Sequence, residues 1–398
     1  EAEDNELISV SANKLHKLSK SIKSTDRILA AKLLRKLIND DNIFILLEMM
    51  RDIDPKVKQE ALVTARKVKR PETFTVLLEM LESPTYCNAA AAALTEAGNK
   101  ALFHLESAFH KAGQSDKVLL KIVQIIGRIG GQKAIELLWD KIEYPDKRIV
   151  KQILLSFRYF NHQASEKEIN NLINLLETEI GKTIWNLSAL TELPKEKHYF
   201  FLRDALKEEV AGNFDTIYIL LSILYDPQSV QLIRENIESG TSDGIAFAIE
   251  LLDLFVTQEL KPKLFPLLDD IPVTEKLKQL QIHFPREEYN EIQVLNYLLN
   301  KNYNEINRWT KACAVHSTAF IKDFRVSRGL IAQLFNKDKM LQEVAGWVMY
   351  YKDKNTFASI SDRLPLETKR FLMESIEKNE LQAGLSDGYF LGIEMVMA

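Results

Sequence analysis

Glycine and proline are scarce, 14 and 11 of 398 residues, about half the usual share. Few turns and few helix breakers exclude collagen-like and loop-dominated chains and point to helix. Cysteine is scarcer still. Cys87 and Cys313 stand far apart, each inside a helical pattern, which excludes a disulfide framework and predicts two small buried residues in a reducing compartment. Long hydrophobic runs are missing too. A membrane span needs about 18 to 20 apolar residues, and the best candidate, "TIYILLSILY" from Thr216 to Tyr225, is closed by Asp215 and Asp226. The seven histidines never fall in H-x3-H or H-E-x-x-H spacing. Glu106 and His110 can share a helix face, but two ligands do not make a zinc site, so neither a metal nor a cofactor is expected. The opening "EAEDNEL" has no initiator Met and no signal-peptide pattern, and it reads as the start of a piece cut from a longer chain.

What is present is a folded-protein composition, 46% hydrophobic and 27% charged, and an internal repeat. Polar starts followed by apolar helical patterns recur near Asp26, Asp54 ("DPKVKQEALVTARKV"), Thr85, Asp116 ("SDKVLLKIVQIIGRIG") and Asp146. They continue near Lys182, Asp215, Asp243, Thr274, Asn307, Asp338 and Glu367, at a mean spacing of about 31 residues. A second amphipathic run lies between starts, as in "PETFTVLLEML" and "GQKAIELLWDKI", so each unit reads as a helix pair. Asp54 before Pro55 and Ser83 before Pro84 suit helix N-caps, and Gly98, Gly113, Gly130 and Gly181 fall where helices should stop. One pair cannot bury its apolar stripe alone, so neighbours should stack. The expected fold is all-α, a right-handed α-solenoid of about twelve HEAT-like helix pairs, because the tetratricopeptide and ankyrin signatures are absent. Between Asp146 and Lys182 the spacing widens to about 36, which predicts longer or offset helices and a change of curvature over 165–213.

Several short motifs resemble catalytic signatures. "GTSDG" (240–244) spells G-x-S-x-G, but helical patterns flank it, where a nucleophile elbow needs a strand. Gly240 reads instead as a helix end, and Thr241 or Ser242 as the next N-cap. Gly244 then falls in the first turn of a helix, at a cost of up to about 1 kcal/mol relative to Ala, which close packing would justify. Gly181, Lys182 and Thr183 mimic the tail of a P-loop, yet Leu176 stands where its first glycine belongs. "GRIGG" (127–131) lacks dinucleotide-loop spacing and reads as a tight interhelical turn. Trp139, Trp185, Trp309 and Trp347 sit at helical spacing among apolar neighbours, as core anchors would. The adjacent pairs Asp269/Asp270 and Glu208/Glu209 diverge on a helix and suit a solvated face. No catalytic constellation emerges.

Charge is uneven although the total is only −4. Lys14, Lys17, Lys20, Lys23, Arg27, Lys32, Arg35 and Lys36 face a single acid, Asp26, in that stretch, while the segment from Asp226 to Glu275 is dominated by acids. Leu15, Leu18 and Ile22 add an apolar stripe beside the lysines. These eight basic residues are the candidate contact with an anionic surface, whether lipid, at about 1 kcal/mol per charge, or phosphate. An ordinary solvated helix face is the third reading.

"IIGRIGGQKAIELLWDKIEYPDK", "RENIESGTSDGIAFAIELLDLF", "LKPKLFPLLDD" and "NEINRWTKACA" resemble the cytoplasmic HEAT-repeat region of large bacterial transporter-like membrane proteins, of the ADP/ATP-carrier or major-facilitator type. The resemblance implies a basic segment just inside a membrane, a cytoplasmic location, and no binding site within the repeats themselves. On this reading 1–23 is a basic amphipathic helix or linker, 24–164 an N-terminal block of repeats, 165–213 longer irregular repeats, 214–380 a C-terminal block, and 381–398 a tail or linker. The expected function is non-catalytic, a scaffold for a protein partner or for neighbouring domains. The alternative is a nucleic-acid-binding HEAT-like enzyme such as a DNA glycosylase, which the acidic overall balance disfavours.

Overall fold

The computed structural model describes residues 13–383, and every regular element among them is helical. Residues 13–144 and 148–162 form one compact unit; residues 145–147 and 163–383 form a second. Of the expected N-terminal segment 1–23, residues 1–12 lie outside the described residues, as do 384–398 of the expected tail 381–398, whose first three residues instead continue a helix that starts at Leu366.

In the first unit a short helix α1 (13–19) precedes α2 (Ser24–Leu37), α3 (Ile43–Met50), α4 (Pro55–Val68), α5 (Phe74–Glu79), α6 (Cys87–Ala97), α7 (Asn99–Phe109), α8 (Asp116–Ile129), α9 (Gln132–Trp139) and α10 (Lys147–Tyr159). Every second helix stacks on the next of its kind: α2 on α4, α4 on α6, and α6 on α8. The row extends to α10, because Gly127 leaves no side chain where a Cβ would come within 2.8 Å of the Ser156 Cβ, and Gln124 donates to Gln152 at 3.3 Å. The shorter helices α3, α5, α7 and α9 pack against this row from one side. Between the two layers lie Leu34, Leu62, Leu94 and Ile126, all essentially inaccessible, each contributing about 2 kcal/mol by burial.

The caps explain where these helices begin. Asp54 accepts from the amides of Lys56 and Val57, with Pro55 at the first helical position. Ser115 caps α8 by accepting from Val118. Gly130 closes the same helix at φ 71, a conformation that a side chain would strain. Ser83 and Pro84 open a turn instead of a helix, and α6 starts only at Cys87. Bonds between successive pairs, Arg27 to Asp52, Arg51 to Glu79, Arg66 to Glu96 and Gln124 to Gln152, all span 25 to 30 residues, a separation close to the sequence repeat.

The second unit is organised differently. Its centre is a pair of long helices, α11 (Glu166–Glu192, 27 residues) and α12 (Phe200–Leu224, 25 residues), in the region where the repeat spacing widens. Two repeat starts are therefore corrected. Lys182 sits in the middle of α11, bonded to Glu179 one turn back, and Asp215 sits in the middle of α12, where it holds Arg234 at 2.8 Å. Gly181 does not end a helix either. It leaves room for Phe284, whose ring would lie 3.3 Å from an added Cβ.

Two branches leave this pair. α13 (Pro227–Glu238), α14 (Ser242–Asp253), α15 (Lys261–Leu268) and α16 (Val273–Leu280) run in sequence from α12 back to α11. α17 (Glu291–Asn300), α18 (Arg308–Thr318), α19 (Arg328–Leu334), α20 (Lys339–Lys352), α21 (Lys354–Ser361) and α22 (Leu366–Ala383) form the other branch, where α18 packs on α12, α20 on α18, and α22 on α20. The stacking row thus passes from α12 to α18 and bypasses α13–α16. The apolar run of α12 is consumed here, with Ile217, Ile219, Leu220, Leu221 and Ile223 all buried. No described helix is long and apolar enough to cross a membrane.

Candidate functional site

The two layers of the first unit differ sharply in charge. The row of long helices holds Arg27, Lys32, Arg35 and Lys36 against Asp26 on α2, and Lys56, Lys58, Arg66 and Lys67 against Glu60 on α4. It continues with Lys117, Lys121 and Arg128 against Asp116 on α8, and Arg148, Lys151 and Arg158 without an acid on α10. Only α6 lacks a base, with Glu96 as its one charge. In the other layer α3 and α5 carry Glu48 and Glu79 with no base, while Lys100 balances Glu106 on α7 and Lys133 balances Glu136 on α9.

The acids of the basic row are already engaged. Glu60 is held by Arg35, Glu96 by Arg66, and Asp116 by Arg148 at 3.2 Å. Helical spacing gathers the bases of the row into stripes. Lys117, Lys121, Gln124 and Arg128 share one side of α8; Lys56, Val63 and Lys67 share one side of α4; Lys32 and Lys36 stand beside Leu29 and Leu33 on α2. On α10 the stripe is Arg148, Lys151, Leu155 and Arg158. Between these banks α6 turns Asn88, Ala89, Ala92, Thr95 and Glu96 outward, the last held by Arg66. Leu29, Leu33, Val63 and Leu155 are each 38% to 47% exposed, an apolar component set among the lysines.

The eight basic residues singled out from the sequence divide accordingly. Arg27 is clamped on both carboxylate oxygens of Asp52, at 2.8 and 3.0 Å. Burial pushes the Asp52 carboxyl up, but the hydrogen bonds from Arg27 and the Asp54 amide, with the charges of Arg27 and Lys58, together hold it below the usual range. Lys20 pairs with Glu48 at 2.6 Å, and Arg35 binds Glu60 and the Thr64 hydroxyl. Lys14, Lys17 and Lys23 are exposed around α1, and Lys32 and Lys36 belong to the α2 stripe. The lipid-facing stripe is corrected: Leu15 is buried in the first unit, whereas Ile22 is 99% exposed. A tally of charge along contiguous sequence missed Lys117, Lys121, Arg128 and Arg158. Summing charge over alternate helices would have found them.

The second unit has a cleft of ≈ 470 Å³ between α11, α16 and the segment before α17, lined by Ser188, Thr191, Lys278, Gln281, Arg286 and Tyr289 among others. Arg286 is fixed there by Glu192, which also accepts the Tyr289 amide at 3.0 Å, and its guanidinium lies 5.4 Å from the Tyr289 ring. Deeper in the same unit Lys301 lies 4.1 Å from the centre of the Trp185 ring, and burial pushes its pKa down. Glu209, 3% exposed, accepts from Lys147, the Asn307 amide and the Thr310 hydroxyl. Lys301, paired with Glu305, and Glu209 have their charges met by neighbours, as in a structural network, whereas Nε and Nη1 of Arg286 are buried without a hydrogen-bond partner.

The short motifs resolve the same way. Thr241 caps α14 by accepting from the Gly244 amide at 3.2 Å, and the Ser242 hydroxyl donates to Asp270 at 2.6 Å, a carboxylate where a nucleophile would need a base such as histidine. A Cβ on Gly244 would meet Thr241 Oγ1 at 2.7 Å and the Asn236 carbonyl at 3.0 Å, so close packing accounts for that glycine. Gly181, Lys182 and Thr183 lie inside α11 and form no phosphate loop. Trp185 and Trp347 are buried, and Trp139 stacks on Phe157 at 4.9 Å in the core. Cys87 and Cys313 are buried thiols, and no group of metal-ligating residues occurs among the described residues. Set against known proteins, the chain matches no family model, and no curated protein matches it.

Proposed function

We propose that the chain is a non-catalytic scaffold, a HEAT-like α-solenoid most regular in its first unit, that binds protein through the outward face of α2, α4, α6, α8 and α10. One observation carries this reading: a row of five helices bears a surplus of base with its own acids engaged, and exposed Leu29, Leu33, Val63 and Leu155 stand among the charges. On such a face the exposed leucines and Val63 offer apolar contact, while the charges set encounter rate and partner choice. The resemblance to transporter-associated repeats supports a cytoplasmic setting beside a membrane, with neighbouring domains of one polypeptide as natural partners. The glycosylase alternative gains nothing from Trp139, which is stacked in the core on the Phe157 side of α9.

The test is site-specific photocrosslinking in cells. A photoreactive side chain at Leu33 or Leu155 is expected to give protein adducts, while one at Phe103 on α7, also exposed, gives none. Adducts with nucleic acid alone, or equal yields at the three positions, would overturn the reading.

A further inference from the structure

The acidic stretch between Asp226 and Glu275 contains a helix complementary to the basic face. On α14 and its C-cap the residues Asp243, Ala246, Phe247, Glu250, Asp253 and Leu254 all point outward, at the three- and four-residue steps of a single stripe, Asp253 being paired with Lys261. Phe247 is 47% exposed and Leu254 79%. Phe247 and Leu254 stand seven residues apart on one side with acids around them, an apolar pair set within an acidic stripe. The neighbouring surface is acidic as well, with Glu235 and Glu238 on α13, Glu259 before α15 and Asp270 after it, all exposed.

We infer that the α14 stripe of one copy of this chain docks on the α2–α10 face of a second copy. The inference rests on the reading of that face as a protein-binding surface and names its partner. Packed helices stand about 8–10 Å apart, so a helix laid over the small side chains of α6 comes within side-chain reach of both α4 and α8. Beneath it lie Ala89 and Ala92 of α6, small enough for Phe247 to approach closely, with Glu96 one turn further on held by Arg66, while Lys56 and Lys67 on one bank and Lys121 and Arg128 on the other meet the acids. The α14 stripe, 12 residues and about 18 Å long, covers ~200 Å² of this face, well under the ~800 Å² per partner of a tight interface, so the expected association is weak and salt-sensitive.

Nucleic acid fits the face less well. Phosphate contacts leave the exposed leucines without a counterpart, and single strands want aromatic platforms, for which α10 offers Tyr159 alone among the five stripes. A bilayer would accept the leucines but gives no role to the acidic stripe.

The experiment is a charge swap read by light scattering of the full chain on a sizing column, at tens of micromolar protein. The native chain is expected to run at twice the mass of one chain or more at low ionic strength, and as one chain at about 0.5 M salt, where charge attraction is screened within ~4 Å. K121E/R128E should lower self-affinity ~10- to 100-fold, as should D243K/E250K, since both place like charges in contact. Mixing the two variants should restore association between them. Circular dichroism of each variant separates lost docking from lost folding. A single-chain mass at every salt concentration, or reversals that leave association unchanged, would overturn the inference. If the native chain stays single yet Leu33 and Leu155 still crosslink to other proteins, self-docking falls while the scaffold reading stands.

Discussion

At the scale of single residues, glycines separate packing from backbone strain. Gly244 sits where an added Cβ would press on Thr241, Ser239 and the Asn236 carbonyl, whereas Gly212 of α12 has nothing within 4 Å. G244A is therefore expected to destabilise by about 1–3 kcal/mol through overpacking, and G212A to stabilise by about 0.5–1 kcal/mol through helix propensity. Urea midpoints decide it, and equal shifts of the two variants would sink the argument. His316 supplies a pH dependence. Burial among Phe201, Phe320 and Trp347 lowers its pKa to about 4, so the folded state keeps it neutral where an unfolded chain begins to protonate it. Its contribution is complete above pH ~6.5 and is lost as pH falls to about 4, at most about 3 kcal/mol. H316L should flatten unfolding midpoints between pH 7 and 4.5 relative to the native chain; a parallel profile would assign the slope to other groups. The carboxylates held low by hydrogen bonds, Asp226 and Asp353, act below that window.

At the scale of elements, contact between rows depends on side chains that are missing. Gly127 lets α8 approach the Ser156 side of α10, so G127A should cost about 1–3 kcal/mol. S156G in the same chain should recover part of it, giving a coupling of about 1 kcal/mol in a double-mutant cycle. Additive effects would mean that the helices are not in register there. This scale is also where the sequence spoke most clearly and failed most instructively. Asp54, Asn307 and Asp338 were recognisable as starts because a cap is local, a side chain accepting from amides two or three residues on. Lys182 and Asp215 look alike on paper but stand inside helices, because what decides them is distant. Phe284 claims the space at Gly181 from 103 positions away, and α18 continues the row from α12 while four helices loop out between them. The basic face escaped notice for a related reason, since it draws its charges from every second helix.

At the scale of the whole molecule, two compact units share one chain, and each has its own core. Unfolding followed by circular dichroism in urea should therefore show two transitions, and residues 13–162 produced alone should keep one of them; a single sharp transition shared by all probes would contradict this. The units also differ in how far their bonds reach. Those in the first span a few tens of residues, while in the second Thr310 reaches Glu209 across 101 residues and Tyr289 reaches Glu192 across 97. Bringing such distant partners together carries a loop-closure entropy that must be met before any contact rewards it. On a ribosome adding about 5–20 residues per second, the first unit can close pair by pair as it emerges. The α11–α12 pair must wait, half its partners unmade, for seconds to tens of seconds. Until α18 is made, the apolar run 217–223 of α12 stays partly uncovered, a window in which a chaperone would matter.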